Sequence, residues 1–600
     1  MIQRLRDIFS LGRFRQRLAE VDALPQLSLL ALVSGLVTGL VMVLFRLILE
    51  APLTWLSPGG AAQRFEFLGW ETRVLLPLVG GLVIGIVFQR LRAVRRGVGV
   101  THVMERLARH QGHLPAPNAV VQFLGGIAAL ATGQSAGREG PAIHLGAAAS
   151  SILGQRMRLP NNSIRTLVGC RTAAAIASSF NTPLAGVIFA MEVVMMEYTV
   201  ASFIPMIVAA VSATLVSVLV YGDAPAFAVP QVEMSSLRDM PWVVLAAIVI
   251  GVVAAGFMRI VDFFAAFNQY PIWMRFTAAG GITGAVALVA PEVMGVGYDS
   301  VENALTGEYG LWLLLSIAAL KLLTSAATAG LGLPAGVIGP TLVIGAMAGG
   351  AMGALGAMIW PAAASTPGFY GILGMGAMMG AVLQAPLAAL LALLELTLNP
   401  NIILPAMLTI VVASLTASQV FGRPSVFVTL LAARGLKFAS DPITQALQRA
   451  GVGSLMERRF ARSKRHITES EARSLLERQP QWIVVDDADG PVCVLAAADL
   501  VRHLEHGATE AGDRKGAAPR KKAEPETEVP EEIVDLVAIP GLRKDVTLLQ
   551  VQATLHEALA ALDGTGKEAV CVTRTAAPMI TPIVGILTRG DIEKFYGLKG

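Results

Sequence analysis

Charge is what this chain most lacks. Only 15% of its 600 residues are Asp, Glu, Lys or Arg, while 54% are hydrophobic and the mean hydropathy is +0.61. A soluble protein of this size carries roughly a quarter charged residues, so a water-soluble fold is excluded for most of the length. Cysteine is nearly absent too. Cys170, Cys493 and Cys571 stand far apart, which argues against a disulfide framework and against a clustered thiolate metal site. The net charge is only +4, too small for a nucleic-acid-binding surface, and no nucleic-acid partner is expected. The first 20 residues lack a continuous apolar core and a small-residue cleavage site, so no signal peptide is expected.

Long apolar runs stand in place of charge. Leu29–Leu49, Ala201–Val220, Leu311–Ala329 and Ile402–Val420 are each long enough to cross about 30 Å of hydrocarbon as a helix. Val74–Val87 and Val243–Met258 read as slightly shorter membrane helices. Pro386–Leu398 is too short to cross alone. Short apolar segments interrupted by Gly and Pro are the mark of broken helices around a substrate site. Arg4, Arg6, Arg13, Arg15 and Arg17 precede the first run, and Arg90, Arg92, Arg95 and Arg96 follow the second. The bias of positive charge toward the inner side then places the N-terminus in the cytoplasm. The expected division is a cytoplasmic segment over 1–28 and a polytopic all-α membrane domain over 29–438, in two repeats at about 29–222 and 240–436.

One stretch in the membrane region places charge where charge is costly. Gly137-Arg138-Glu139-Gly140-Pro141 lies between apolar helices, and ionisable groups at that depth mark function by default. Pro141 suits the first turn of a helix. The N-terminus of such a helix, with free N–H groups and a positive dipole end, is a ready anion site. Glu139 sits beside it as a tethered anion. An internal repeat supports a site between halves. Phe180-Asn181-Thr182-Pro183-Leu184-Ala185-Gly186 through Glu192 matches Leu383-Gln384-Ala385-Pro386-Leu387-Ala388-Ala389 through Glu395. Gly336-Val337-Ile338-Gly339-Pro340 is the counterpart of the Glu139 stretch, about 200 residues on.

The tail is of another kind. It reads as two similar α/β units, over 452–506 and 533–600, around a charged, disordered insert at 507–532. Each unit is a strand, a turn, a second strand and a helix opened by aspartate, namely Asp499 and Asp591.

These residues together resemble the CLC family of chloride channels and chloride/proton antiporters. Four segments carry the resemblance in order: Gly97-Val98-Gly99-Val100-Thr101, the intact Gly137–Pro141 stretch, Gly336–Pro340, and Ser425-Val426-Phe427. The tail is similar to a tandem pair of CBS domains. The resemblance implies that the two repeats are of inverted topology, and it implies a homodimer in the inner (plasma) membrane, with both termini cytoplasmic and one anion pore per subunit. It implies that Glu139 is the gate, and that Val98, Gly99, Arg138, Gly140, Val337, Ile338 and Phe427 lie around chloride and similar anions. Val98 and Phe427 replace the family's serine and tyrosine, so two hydroxyl donors to the central anion are missing. Losing such donors costs on the order of 1.5–3 kcal/mol each where nothing replaces them. The antiporters usually carry a proton-bearing glutamate one residue after Glu192; here the residue is Val193. That leans the expectation toward proton-independent, channel-like conduction gated by Glu139 and modulated by the tail, with a chloride/proton antiporter as the alternative. No cofactor is implied beyond chloride as cargo, with an adenine nucleotide at Asp499 and Asp591 left open.

Other residues have plainer readings. Glu192 is read as structural, because Glu395 holds the same place in the other repeat. His144 is either a packing histidine or an influence on gating near neutral pH. Lys321, within an apolar run, is a snorkelling or paired lysine. Met191, Met195 and Met196 pack against lipid or a neighbouring helix. An enzymatic role is not expected. The sole His-Glu pair of the chain, His556-Glu557, lies in the tail with Ala560 at the second ligand position of a zinc motif. A magnesium channel would want acidic pore residues, and the membrane region has few.

Overall fold

Apolar sequence at a 3.6-residue period forms helix wherever backbone groups have no water to bond, and helix dominates the first 436 residues. The computed structural model describes residues 18, 23–56, 65–223, 232–361, 364–436, 442–487, 490–515, 533–574 and 582–597. It divides into two units. One comprises Leu24–Met157 and Ser163–Ala439; the other comprises Met1–Ala23, Arg158–Asn162 and Ser440–Gly600.

The helical unit runs α1 (Leu24–Leu56), α2 (Trp70–Arg90), α3 (Gly99–Arg109), α4 (Ala116–Ala131), α5 (Glu139–Arg156), α6 (Asn161–Phe180) and α7 (Pro183–Phe189), the last passing into a π-helical turn at Ala190–Met195. There follow α8 (Val200–Tyr221), α9 (Met240–Ala265), α10 (Ile272–Ala287), α11 (Tyr298–Thr306) and α12 (Leu311–Gly330). The last members are α13 (Ile338–Ile359), α14 (Pro367–Leu383), α15 (Pro386–Thr397), α16 (Ile403–Leu415) and α17 (Val426–Ala432). Among the described residues, 7 helical segments are long and apolar enough to cross a membrane. Six coincide with the apolar runs of the sequence. The seventh, Ile338–Ile359, has no counterpart among them.

Several boundaries move. The first helix begins at Leu24 rather than Leu29, because Pro25 falls in its first turn, where its missing N–H costs nothing. The two runs that read as short are long enough: α2 extends through Glu71 and Arg73 at one end and Arg90 at the other, and α9 takes in Arg259 and Asp262. The central pair α13 and α14 packs through glycine. A Cβ placed on Gly345 or Gly349 would run into the backbone of Gly374 or Tyr370, and one on Gly353 would lie 2.7 Å from Pro367 Cα. Small residues at four-residue spacing are how helices approach closely in lipid.

In the second unit, β1 (Phe460–Lys464), β3 (Trp482–Asp487), β4 (Gly490–Ala496), β6 (Arg543–Gln550), β7 (Ala569–Thr573) and β8 (Ile583–Thr588) form one sheet in the order β1-β3-β4-β6-β7-β8. β2 (His466–Thr468) and β5 (Ile533–Asp535) pair separately. The sheet repeats itself: β1/β3 parallel then β3/β4 antiparallel, and β6/β7 parallel then β7/β8 antiparallel. Each half also has a helix closed by a capping box, Thr468 with Glu471 and Thr554 with Glu557. The insert expected to be disordered from 507 begins as helix instead. The helix opened by Ala497 continues to Lys515, because Ala508, Glu510 and Ala511 are good helix formers. Residues 516–532 lie outside the described residues.

All three cysteines are free and buried. Burial pushes the Cys571 thiol on β7 up to about 12, leaving about one part in ten thousand as thiolate at pH 8. The expected result is that a thiol reagent at pH 8 labels none of the three in the folded protein and all of them after denaturation. Rapid native labelling at Cys571 would contradict the packing of β7.

Candidate functional site

Two loops meet at the centre of the helical unit. Gly137 N–H donates to the Gly336 carbonyl at 2.8 Å, and Gly336 N–H returns the bond to Gly137 at 2.8 Å. The stretch before α5 and its counterpart before α13 are thereby joined face to face. Each helix then opens with glycine at its second position and proline at its third: Gly140 and Pro141, Gly339 and Pro340.

Glu139 is the first residue of α5 and is 1% exposed. Its Oε1 accepts the Gly339 N–H at 3.1 Å and lies 3.4 Å from the Tyr298 hydroxyl. Its Oε2 has no hydrogen-bond partner. The carboxylate therefore occupies the free N–H end of α13, the position an anion would take. Glycines make the cradle. A side chain at Gly137 or Gly336 would collide with Oε2, and a Cβ at Gly339 would lie 2.9 Å from Oε1. Val337 and Ile338 line this end of α13, both buried. Arg138 faces elsewhere: its guanidinium donates to the Ser179 carbonyl at 2.7 Å and lies 5.5–5.7 Å from the Tyr298 and Phe180 ring centres.

Val98 precedes α3 and is buried against Ile84, Phe88, Ala129 and Phe276. The adjacent Gly99, with φ +78°, takes a left-handed conformation that favours glycine. Its N–H donates to Gln122 Oε1, and Gln122 Nε2 donates to the Pro334 carbonyl at 3.0 Å. A side-chain amide thus fills the role at Gly99 that the resemblance assigned to an anion. Gly97 and Val98 border a cavity of about 630 Å³ whose wall carries Arg96, Arg275 and Arg434 and no carboxylate. Phe427 is buried in the main core on α17.

The repeat glutamates have structural posts. Glu192 accepts the N–H groups of Leu387 (3.3 Å) and Ala388 (2.8 Å) at the start of α15, while Glu395 accepts those of Leu184 and Ala185 (2.8 Å each) at the start of α7. Each half caps a helix of the other. Val193, on the π-helical turn, is 3% exposed. Lys321 is fully buried rather than snorkelling, because its Nζ donates hydrogen bonds to the carbonyls of Val293 (2.9 Å) and Gly295 (2.8 Å). Met191 and Met195 are core residues. His144 is bonded to His102 across 2.8 Å. In the tail, Asp499 Oδ2 accepts the N–H of Leu542, 43 residues on, at 2.7 Å, while Asp591 Oδ2 accepts the Thr588 N–H of its own turn at 2.9 Å. Reading the sequence missed Tyr298, Gln122, Arg275, Arg434 and His102. No motif marks them; tertiary contact does.

A family model described as voltage gated chloride channel matches residues 80–418, more than half of the chain. The putative chloride channel protein ClcB-like of Ralstonia nicotianae is 33% identical over 414 residues, covering 66% of this chain and 95% of that protein. The H(+)/Cl(-) exchange transporter ClcA of Salmonella paratyphi B is 30% identical over 441 residues, covering 70% and 90%. Among solved structures, a slow cyanobacterial Cl-/H+ antiporter aligns with a TM-score of 0.61 at 24% identity, covering 68% of this chain and 97% of that one. A eukaryotic CLC transporter aligns with a TM-score of 0.58 at 19% identity, covering 95% and 99%. At these identities the structural likeness speaks for the fold.

Proposed function

Because the chain belongs to the voltage-gated chloride channel family, and is thus a multi-pass membrane protein for anion transport, we propose that it exchanges chloride for protons. The observation that carries this reading is the Glu139 carboxylate bound at the N-terminus of α13 with Oε2 unpartnered. An ionised Glu139 excludes chloride from that position; a protonated one is neutral and yields it. One side chain thereby answers to both ions. The expectation of proton-independent conduction, drawn from Val193, is less well supported than exchange, since several relatives and the solved antiporter structure carry exchanger names. Val193 and the channel name of the Ralstonia nicotianae relative favour a channel. Reversal potentials in planar bilayers under separate chloride and pH gradients test the reading: a reversal that shifts with the pH gradient supports exchange, and one set by chloride alone refutes it.

The remaining parts follow from the same reading. The protein works as a homodimer, with both termini cytoplasmic, and the tail acts as a regulatory CBS-like pair. An adenine nucleotide there would have to displace the backbone bonds now held by Asp499 and Asp591. Chloride enters through the cavity lined by Arg96, Arg275 and Arg434, and Val98 and Phe427 leave it without hydroxyl donors. Restoring both hydroxyls, in the Val98→Ser, Phe427→Tyr double variant, should tighten chloride binding at least tenfold, since a bond to a charged group is worth about 1.5–3 kcal/mol. Calorimetry on the full chain reads this directly, and an unchanged affinity would remove both positions from the chloride path.

A further inference from the structure

The exchange reading gives Lys321 no task, although an amine buried at membrane depth is costly. From the structure we infer that Lys321 positions the gate, holding the turn at 293–297 in the shape that brings the Tyr298 hydroxyl to Glu139; the inference rests on Glu139 being the gate. Lys321 Nζ donates to the Val293 carbonyl at 2.9 Å and to the Gly295 carbonyl at 2.8 Å. Both acceptors belong to one turn, at a depth where no water would satisfy them. Gly295 (φ +58°) and Gly297 (φ +87°) take left-handed backbone, which lets the chain curl around Nζ. A Cβ at Gly297 would lie 3.3 Å from Nζ. The next residue is Tyr298, the first of α11, whose hydroxyl lies 3.4 Å from Glu139 Oε1.

The turn also walls the cradle. A Cβ at Gly339 would lie 2.9 Å from Val296 Cγ1 and 2.9 Å from Glu139 Oε1, so Val296 and the carboxylate flank the same glycine. Helix α12, which bears Lys321, holds the segment leading to Glu139 as well. Thr324 Oγ1 donates to Ser135 Oγ at 3.0 Å, and the Ser325 and Ser135 hydroxyls lie 2.8 Å apart. One helix thereby anchors both sides of the Glu139–Tyr298 contact. Methionine at 321 would fill much of the same space but donate nothing, leaving two buried carbonyls unpaired and the turn released. An ionised Glu139 would then lose the Tyr298 hydroxyl and take up a proton more readily. The other charged groups around Glu139 would stay in place. Arg138 of its own segment is bonded to the Ser179 carbonyl, and α11 adds Asp299 and Glu302. Helices α4 and α13 carry none, and α12 carries Lys321 alone. Helix α3 has His102, Glu105, Arg106 and Arg109, α5 has His144 and Arg156, and α6 has Arg171 and Arg165, the latter paired with Glu197. Arg46 and Glu50 of α1 pair with each other.

Chloride efflux from liposomes holding the full chain, followed across a pH series, tests this. Lys321→Met should move the pH of half-maximal flux upward by about one unit or more, a tenfold change in proton affinity. Tyr298→Phe should move it in the same direction. The double variant should move it no further than Tyr298→Phe alone, because Lys321 acts through Tyr298. A midpoint is read because loss of active protein does not imitate it. Should Lys321→Met fail to fold, Lys321→Gln, whose shorter side chain reaches one carbonyl at most, takes its place with a shift of the same sign. A pH-dependent unaltered protein whose midpoint the Lys321 variant leaves unmoved overturns the positioning role alone. A double variant whose shift is the sum of the two single shifts does the same. An unaltered protein whose flux ignores pH overturns the gate, and this inference with it.

Discussion

Glu139→Gln should leave chloride flux nearly independent of pH, at or above the rate the unaltered protein reaches in acid, while proton movement falls at least tenfold. The sign follows from the geometry. Ionised, Glu139 is held by the Gly339 N–H and the Tyr298 hydroxyl, bonds to a charged group worth about 1.5–3 kcal/mol each. Protonated, it is neutral and loses most of that hold, so flux through the unaltered protein rises as pH falls. Glutamine is neutral at every pH, so the variant sits at the acid limit throughout. Chloride efflux from liposomes across a pH series gives the comparison. A variant that keeps the original pH profile would mean that some other group gates the path.

Glu395→Ala and Glu192→Ala should each destabilise the fold by about 2 kcal/mol, the loss of a charged cap. Each removes the acceptor for two N–H groups at the start of a helix in the opposite half. In lipid no water replaces it. Glutamine at either position keeps one acceptor oxygen and should recover part of the loss. The midpoint of thermal unfolding in detergent orders the variants. If Glu192→Ala altered proton flux with no change in stability, its post would be functional rather than structural.

How much of this was legible in the sequence depended on whether the signal was local. The apolar runs revealed six crossings, because lipid-facing helices carry Leu, Ile and Val. Helix α13 escaped notice because 72% of its most apolar window is enclosed by protein, and close packing there demands the glycines that break up an apolar run. Glu139 was evident, being a carboxylate flanked by glycine and proline at membrane depth. Its partner Tyr298 was not, lying 159 residues away with no motif of its own. Glu192 and Glu395 were matched by the repeat, yet nothing local indicated that each would cap the other half's helix. His144 looked like an ordinary packing residue until the fold placed His102 against it.

Gly137 and Gly336 exchange both of their hydrogen bonds at the meeting point of the two halves, and Gln122 ties Gly99 to Pro334 nearby. A hinge cannot run through a seam sewn in this way without tearing it open. In the exchange proposed above, the stroke therefore belongs to side chains, chiefly to the Glu139 carboxylate swinging out of its glycine cradle. Rotamer changes are fast beside the microsecond-to-millisecond motions of domains, so turnover should be paced by the arrival of protons and not by the travel of the scaffold.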